Sequence, residues 1–488
     1  MTVNTNVKRY QMYINGEFVE SNSKEWFQVI NPATEEVISE VPSGSVGDAR
    51  KAIDCAEIAQ KEWKKRPSIE RARYLNLLAE EIRKNSESLA QIISEEQGKV
   101  LLESRGEVAF AAEYFDYMAG WARKYEGEIV PSDRPNETIM VIKEPVGVVT
   151  GIIPWNAPFF IMARKVAPAL VTGNTIVLKP SSDTPNSSLE FAKLVDKVGI
   201  PKGVINIITG HGGQIGYELA ANPKIGLASL TGSGKAGKEL MKAAADSITK
   251  VSLELGGKAP AIVAEDADID LAVRSILMSR FLNVGQACNS AERVYVHEKV
   301  EDEFIEKITA AISAIKIGNP LQDEDATMGP IATKRGFENI ESMVTRAVEA
   351  GAKVLTGGKR ANVDRGYFYE PTVLVNVKQD MEIMQEEVFG PVLPIMVIKD
   401  LDEAIELAND CQYGLTSSIF TQNLDAAMRA ATELNFGETY INREHMEAIQ
   451  GFHAGRKKSG IGGEDGKHGL EEYLATHVVY LQYNPNKK

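Results

Sequence analysis

Three residues far apart in the sequence have side chains and settings that chemistry could use: Cys288, Glu254 and Asn156. Cys288 stands in FLNVGQACNSAERVYV, between an expected helix ending in Gly285 and an expected strand. A thiol in such a loop can be activated by backbone N–H groups or by exclusion of water, and its thiolate is a strong nucleophile. The commoner use of a cysteine is as a small buried hydrophobe. That reading suits Cys55, within a helix, and Cys411, ahead of a Tyr-Gly turn. Glu254, in SLELGGKAP, closes an apolar strand before two glycines. A carboxylate there is either a solvated loop acid or a base held at a loop end. Asn156, in PWNAPFF, follows an apolar run and sits between two prolines, a stiff setting for an amide donor. LTGSGKAGKEL is a Gly-rich entry to a helix, where free N–H groups and the helix dipole suit a pyrophosphate. ITGHGGQIG could act likewise, but its glycine spacing is not the dinucleotide fingerprint.

Such groups need rigid elements to bring them together. From Asp48 to Glu126, Ala, Leu and Ile recur at three- and four-residue spacing, which predicts helices. From Met140 the texture changes to short Val- and Ile-rich runs: IMVIKEPVGVVTGIIP, NTIVLKP, VINIITG, GLASLTG, KVSLELGG and APAIVAE. Helical stretches such as ARKVAPALVTG and SSLEFAKLVDKVG separate most of them. Strands alternating with helices predict an α/β fold with a parallel sheet covered on both faces. Ligands of such sheets bind beyond the carboxyl ends of the strands. A second alternating region runs from about Ala259 to Gly462, with RVYVHE, TVLVNV and VLPIMVI as strands. THVVYLQY, at 476–483, reads as a late strand with no obvious local partner, which suggests pairing across a subunit boundary.

Composition narrows the partners. The 488-residue chain has room for two or three domains, and its 43% apolar and 25% charged residues are those of a soluble globular protein. Lys and Arg number 54 against 68 Asp and Glu, a net charge of −14, which argues against nucleic acid because no basic face is concentrated here. MTVNTNVKRYQMYING carries no signal-peptide pattern, and no run of eighteen apolar residues offers a membrane span. Three sparse cysteines without metal-ligand spacing fit a reducing cytosol and argue against a disulfide scaffold or a zinc site. A cytoplasmic protein without membrane or nucleic-acid partners is expected.

The chemistry-bearing segments, taken with NPATEEVI, NTIVLKPSSDTP, MGPIAT, EEVFGPVLP, YGLTSSIFT and KKSGIGGEDGKHGL, resemble in order those of the aldehyde dehydrogenase superfamily. The similarity spans nearly the whole chain. It implies a Rossmann-like cofactor domain from 1–125 and 146–255, an α/β catalytic domain from 256–465, and a small β oligomerisation element from 126–145 and 466–488. It implies Cys288 as the nucleophile that forms a thiohemiacetal and then a thioester, Asn156 with the Cys288 N–H as oxyanion donors, and Glu254 as the base for hydrolysis. Relatives that pass the acyl group to coenzyme A often lack this Glu, so a free acid is the expected product. For the cofactor, NAD, the resemblance points to Trp155, to Lys179 on the adenosine ribose, to Gly232 and Ser233 at the pyrophosphate, and to Glu387 and Phe389 at the nicotinamide ribose. Ser182 departs from the pattern. NAD-preferring members commonly carry a Glu there that repels a 2′-phosphate, so Ser182 leaves NADP open. A homo-oligomer, dimer or tetramer, is implied as well.

The expected acyl pocket is polar where the family is often apolar: Arg164, Asn289, Glu447 and His453, with Phe160 kept aromatic. Buried polar groups need partners, and a substrate hydroxyl or carboxylate can supply them. INRE, QGFHAG and GKHGLEEY resemble the bacterial lactaldehyde/glycolaldehyde branch of the family, which implies a short hydroxyaldehyde substrate. An anionic aldehyde, such as a semialdehyde acid or a sulfolactaldehyde steered by Arg164, is the alternative. Arg164 and Glu447 could instead pair and merely close the pocket, with His453 a satisfied loop residue. Beyond dehydrogenases, a non-catalytic protein of the same fold and a cofactor-free esterase are the rivals. The retained Cys288, Glu254 and Asn156 speak against the first, and Lys179, Glu387 and Phe389 against the second.

Overall fold

The strands of the first sheet form where β-branched residues run without polar interruption, the pattern of strands covered on both faces. In the computed structural model, which describes residues 7–485, they are Val148–Ile152, Thr175–Lys179, Ile205–Ile207, Ile225–Thr231 and Lys250–Glu254. The expected outer limits at residues 1 and 488 lie outside the described residues. All five strands pair in parallel, in the spatial order 250–254, 225–231, 148–152, 175–179, 205–207. Val148–Ile152 comes first in the chain, yet it has the second strand on one side and the fourth on the other. The order reverses there, which opens a crevice at the carboxyl ends. Met12–Ile14 and Glu17–Val19 extend one edge antiparallel.

The helix Pro158–Thr172 crosses this sheet with every residue buried. Most of its side chains are apolar, so it belongs inside. Arg164 and Lys165 go in with it and must find buried counter-charges. Its apolar side chains join those of Ser68–Lys84, Leu101–Ala119 and Asn186–Val198 in one core.

A second sheet holds six parallel strands, Thr372–Val375, Val392–Ile398, Ala291–His297, Ala259–Val263, Thr416–Phe420 and Glu438–Ile441 in spatial order, with Lys353–Thr356 antiparallel at the edge. It has its own core, around Tyr295, Phe304 and Leu393. The chain leaves the first sheet at Glu254 and enters the second at Ala259. Carboxyl ends of one sheet therefore face amino ends of the other. The fold is α/β, as the alternating runs predict.

Three sequence expectations change. The helix before Cys288 is Ile269–Phe281, and residues 282–285 form a tight turn in which Asn283 and Val284 have φ of 50° and 62°. The late strand, Leu474–Gln482, does have a partner in its own chain: it pairs antiparallel with Glu137–Pro145 along its full length. It is one edge of a three-stranded sheet whose other edge is Glu128–Val130. Gly460–Ile461 returns to the first sheet beside Lys250–Glu254, ahead of the expected limit at 465. Among the described residues no helix is long and apolar enough to cross a membrane.

Candidate active site

The crevice is a cleft of about 680 Å³, and Asn156, Glu254 and Cys288 all line it. Each arrives on its own support. Asn156 sits in the loop between Val148–Ile152 and the helix that begins with Pro158, where a proline at the first helical position costs no hydrogen bond. Two buried groups hold that loop. Glu107 Oε1 accepts the N–H groups of Phe159 and Phe160 at 2.8 and 3.1 Å, capping the free amides of the helix. Lys99 pairs with Glu107 Oε2 at 2.6 Å and donates to the Asn156 carbonyl at 2.9 Å. The Asn156 amide donates one hydrogen to the Gln286 carbonyl at 3.0 Å, which leaves its second for the cleft.

Cys288 lies after the turn at 282–285, partly accessible. Positive φ at a β-branched residue such as Val284 is strained and persists only where packing imposes it. Asn283 is the clamp. Its amide donates to the carbonyls of Asn156 and Gln286 at 2.8 and 3.1 Å, and its oxygen accepts from Gln97 at 2.9 Å. One side chain thus ties the amide loop to the thiol loop. Behind Glu254, Gly256 and Gly257 permit close approach: a Cβ would fall 2.3 Å from Glu387 Oε2 and 2.4 Å from the Cys288 carbonyl.

Glu254 is buried with neither carboxylate oxygen hydrogen-bonded. Burial pushes its pKa up to about 8, against the pull of His453, whose Nε2 is 3.7 Å from Oε2. A carboxyl without hydrogen bonds and with a raised pKa, facing a cleft, is placed to exchange protons near neutrality. His453 Nε2 is also 4.0 Å from the Cys288 sulfur, while its Nδ1 meets Glu438 at 2.7 Å. Burial raises the Cys288 thiol above its usual range, and His453 offsets only part of that rise.

Of the expected cofactor residues, Trp155, Gly232, Ser233, Glu387 and Phe389 line the cleft. Trp155 and Phe389 meet edge to face, centroids 5.4 Å apart. Ser233 caps the helix Gly234–Ala245 by accepting from Ala236 N–H, so the first turn opens on the cleft as an anion site would. Glu387 accepts from Gly257 N–H at 2.7 Å, and burial with the nearby Glu292 pushes it up to about 8. Lys179 and Ser182 are not among the residues that line the cleft, although Asp183 is. Lys179 is buried at the end of its strand and donates to the Pro180 carbonyl at 3.0 Å. Burial lowers it to about 8, and among the described residues no carboxylate forms an ion pair with it. An ammonium with donors to spare, a helix N-terminus and an aromatic pair fit a dinucleotide laid along one cleft. Gly212–Ile215, from the second glycine cluster, is a single turn outside the cleft wall.

The expected substrate residues divide. Arg164 is enclosed: it donates to Asp465 Oδ1 and to Glu447 Oε1, each at 2.9 Å, and lies over the Phe160 ring. None of Phe160, Arg164, Asn289, Glu447 and His453 is among the residues that line the cleft, whereas Ile161 is. Arg164 reaches the site through Glu447. Burial works against that carboxylate, yet Arg164 holds it down to about 2, and its other oxygen accepts from Asn289 at 2.5 Å. Lys165 finds its counter-charge in Glu464. Lys99, Glu107 and Glu438 had no signal in the sequence, since each works only through a contact with a residue elsewhere in the chain. The positive φ of Asn283 had a weak one, because Asn tolerates that region better than most residues.

The aldehyde dehydrogenase family profile matches residues 18–479. Lactaldehyde dehydrogenase of Escherichia coli is 56% identical over 474 residues, 97% of this chain and 99% of that one. Its crystal structure superposes with a TM-score of 0.97 at 55% identity, over 98% of this chain and 100% of that one. The 3,6-anhydro-alpha-L-galactose dehydrogenase of a Vibrio species is 45% identical over 98% of this chain and 100% of its own. An NADP(+) D-glyceraldehyde dehydrogenase of Picrophilus torridus is 41% identical over 97% and 96%. With this fold, this cleft and these likenesses, the chain belongs to the aldehyde dehydrogenase family.

Proposed function

We propose that the protein oxidises a short hydroxyaldehyde, lactaldehyde or glycolaldehyde, to the free carboxylate with NAD or NADP. The observation that carries this reading is the convergence of Cys288, Asn156 and a buried Glu254 without hydrogen bonds on one cleft. The Cys288 sulfur adds to the aldehyde carbon, and the free hydrogen of the Asn156 amide, with the Cys288 N–H, meets the oxygen as it gains charge. A bound dinucleotide supplies the hydride acceptor. Trp155, Lys179, Ser182, Gly232, Ser233, Glu387 and Phe389 are the residues that would hold it. The acyl group then rests on Cys288 as a thioester, and Glu254 takes a proton from the water that hydrolyses it.

Glu447 and Asn289 favour a neutral, hydroxylated substrate. A carboxylate fixed in its charged state accepts a hydrogen bond from a substrate hydroxyl and repels an anion. The Arg164 charge is already committed to Asp465 and Glu447, which removes the basis for steering an anionic aldehyde. The E. coli, Vibrio and Picrophilus relatives carry names of polar aldehyde substrates, and that supports the same reading. The division of the chain into cofactor, catalytic and oligomerisation parts near the expected limits, and assembly through the exposed edge Leu474–Gln482, are proposed with it. A panel of short aldehydes with each dinucleotide tests the assignment. A preference for lactaldehyde over hexanal in kcat/KM is expected; the reverse order defeats the polar pocket, and turnover by C288S defeats the nucleophile.

A further inference from the structure

We propose that Glu438, His453 and Cys288 form a proton relay in which His453 Nε2 takes the thiol proton, so that Cys288 attacks as the thiolate of an imidazolium–thiolate pair. The inference rests on Cys288 being the nucleophile of the proposed function. It adds that the thiol has its own base, distinct from Glu254.

The geometry is that of a thiol, an imidazole and a carboxylate in series. His453 Nε2 is 4.0 Å from Sγ, the outer limit of a hydrogen bond to sulfur. Contacts of this kind are often long without substrate and tighten when it binds. Glu438 Oε1 is 2.7 Å from Nδ1, and its other oxygen accepts the Tyr440 hydroxyl. A carboxylate on Nδ1 selects the tautomer in which Nε2 is free to accept, and it stabilises the imidazolium that results. The histidine backbone is pinned by paired hydrogen bonds with Glu464, of 2.9 and 2.8 Å. The ring is buried.

The surroundings favour the charged ring. Glu438 and Glu254 flank its two nitrogens, and Glu447, Glu464 and Asp465 lie nearby. Facing them are two cations, Arg164 and Lys165, both already engaged with carboxylates. Burial opposes protonation, yet hydrogen bonds with Cys288 and Glu438 lift His453 well above the ordinary histidine range.

The step balances. The Sγ–H bond breaks and an Nε2–H bond forms, the electron pair stays on sulfur, and Glu438 accepts from Nδ1–H. When the thioester is later hydrolysed, sulfur leaves as the thiolate beside the same imidazolium. The thiolate is then ready for the next aldehyde once Glu254 has passed the proton it took from the water to solvent. Glu254, 3.7 Å from Nε2, is then free to serve the water alone. With both ring nitrogens engaged, Glu447 and Asn289 are left to receive the substrate hydroxyl.

The test is iodoacetamide alkylation of the cofactor-free full chain between about pH 5 and pH 10, read at the Cys288 peptide so that Cys55 and Cys411 do not contribute. The parent is expected to show the lowest midpoint of the set. H453Q should raise it, lowering the thiolate fraction at mildly acidic pH by about tenfold per unit. E438Q should raise it by less, in the same direction, and it carries the test if H453Q does not fold. E254Q should move the midpoint less than either. Midpoints unchanged in folded E438Q and H453Q, or moved only by E254Q, overturn the relay. Dehydrogenase activity in C288S would overturn the proposed function instead, so the two failures are distinguishable.

Discussion

Replacing Glu254 by Gln should stabilise the fold at alkaline pH while stopping turnover at the acyl-enzyme. The stability arm follows from the carboxyl having no hydrogen-bond partner on either oxygen. Its pKa moves from 4.5 to about 8 on folding, chiefly through burial. The folded chain therefore keeps a proton that the unfolded chain has released. In that window the folded state binds more protons, and stability falls as pH rises. At about 1.4 kcal/mol per unit the loss is capped at roughly 4–5 kcal/mol, the attraction of His453 being already contained in the shift. Two measurements about one and a half pH units apart inside that window sample ~2 kcal/mol of it. Gln cannot ionise and lacks this slope. For a chain of this size ~2 kcal/mol is worth about 2 °C in Tm. Calorimetry of E254Q and parent at mildly acidic and mildly alkaline pH should show the variant gaining about that much relative to the parent.

The catalytic arm uses the same variant. Loss of a general base costs about 10²–10⁴ in rate, and if Glu254 serves only the water, acylation is spared. A burst of reduced dinucleotide, close to one per active thiol, should precede a slow steady state. A Tm difference that is flat or shrinks with rising pH refutes the buried-charge argument. Loss of the burst refutes the assignment of Glu254 to hydrolysis.

N156A should lower kcat by about 10²–10³ with KM little changed, since one donor to the developing oxyanion is removed; steady-state kinetics at saturating dinucleotide check it. K99M leaves Glu107 charged and buried without its cation, which should destabilise the fold by about 3–5 kcal/mol. Adding E107Q to K99M should recover much of that in a thermal melt. S182E places a carboxylate where a 2′-phosphate would lie, so kcat/KM with NADP should fall by more than tenfold relative to NAD, by the roughly 1.4 kcal/mol or more that like-charge contact costs. Equal use of both dinucleotides by S182E would remove that residue from the cofactor site.

Much of the architecture was legible because its causes are local. Strands such as Thr175–Lys179 carry β-branched runs that suit no other position. The glycines after Glu254 forecast a close approach, and Gly256 and Gly257 meet Glu387 and Cys288 there. The pair of prolines around Asn156 forecast a stiff loop before a helix, and Pro158 opens one. The tight turn before Cys288 was less legible, because its positive φ values come from contacts with Gln97 and Glu103 far upstream. The late strand was seen, but its partner, Glu137–Pro145, lies more than three hundred residues away.

Residue type and order alone determined which side chains could do chemistry: a thiol, an amide and a carboxylate on loops, with an aldehyde oxidiser's pattern around them. Only the tertiary structure decided where the charges go. Arg164, expected at the substrate, pairs with Asp465 and Glu447, while His453 found Glu438 on one side and Cys288 on the other. The reason is the range of the forces. Strand and helix preferences act within a few residues of sequence, whereas the state of a buried charge depends on partners within about 4 Å, at distances that only the folded chain defines.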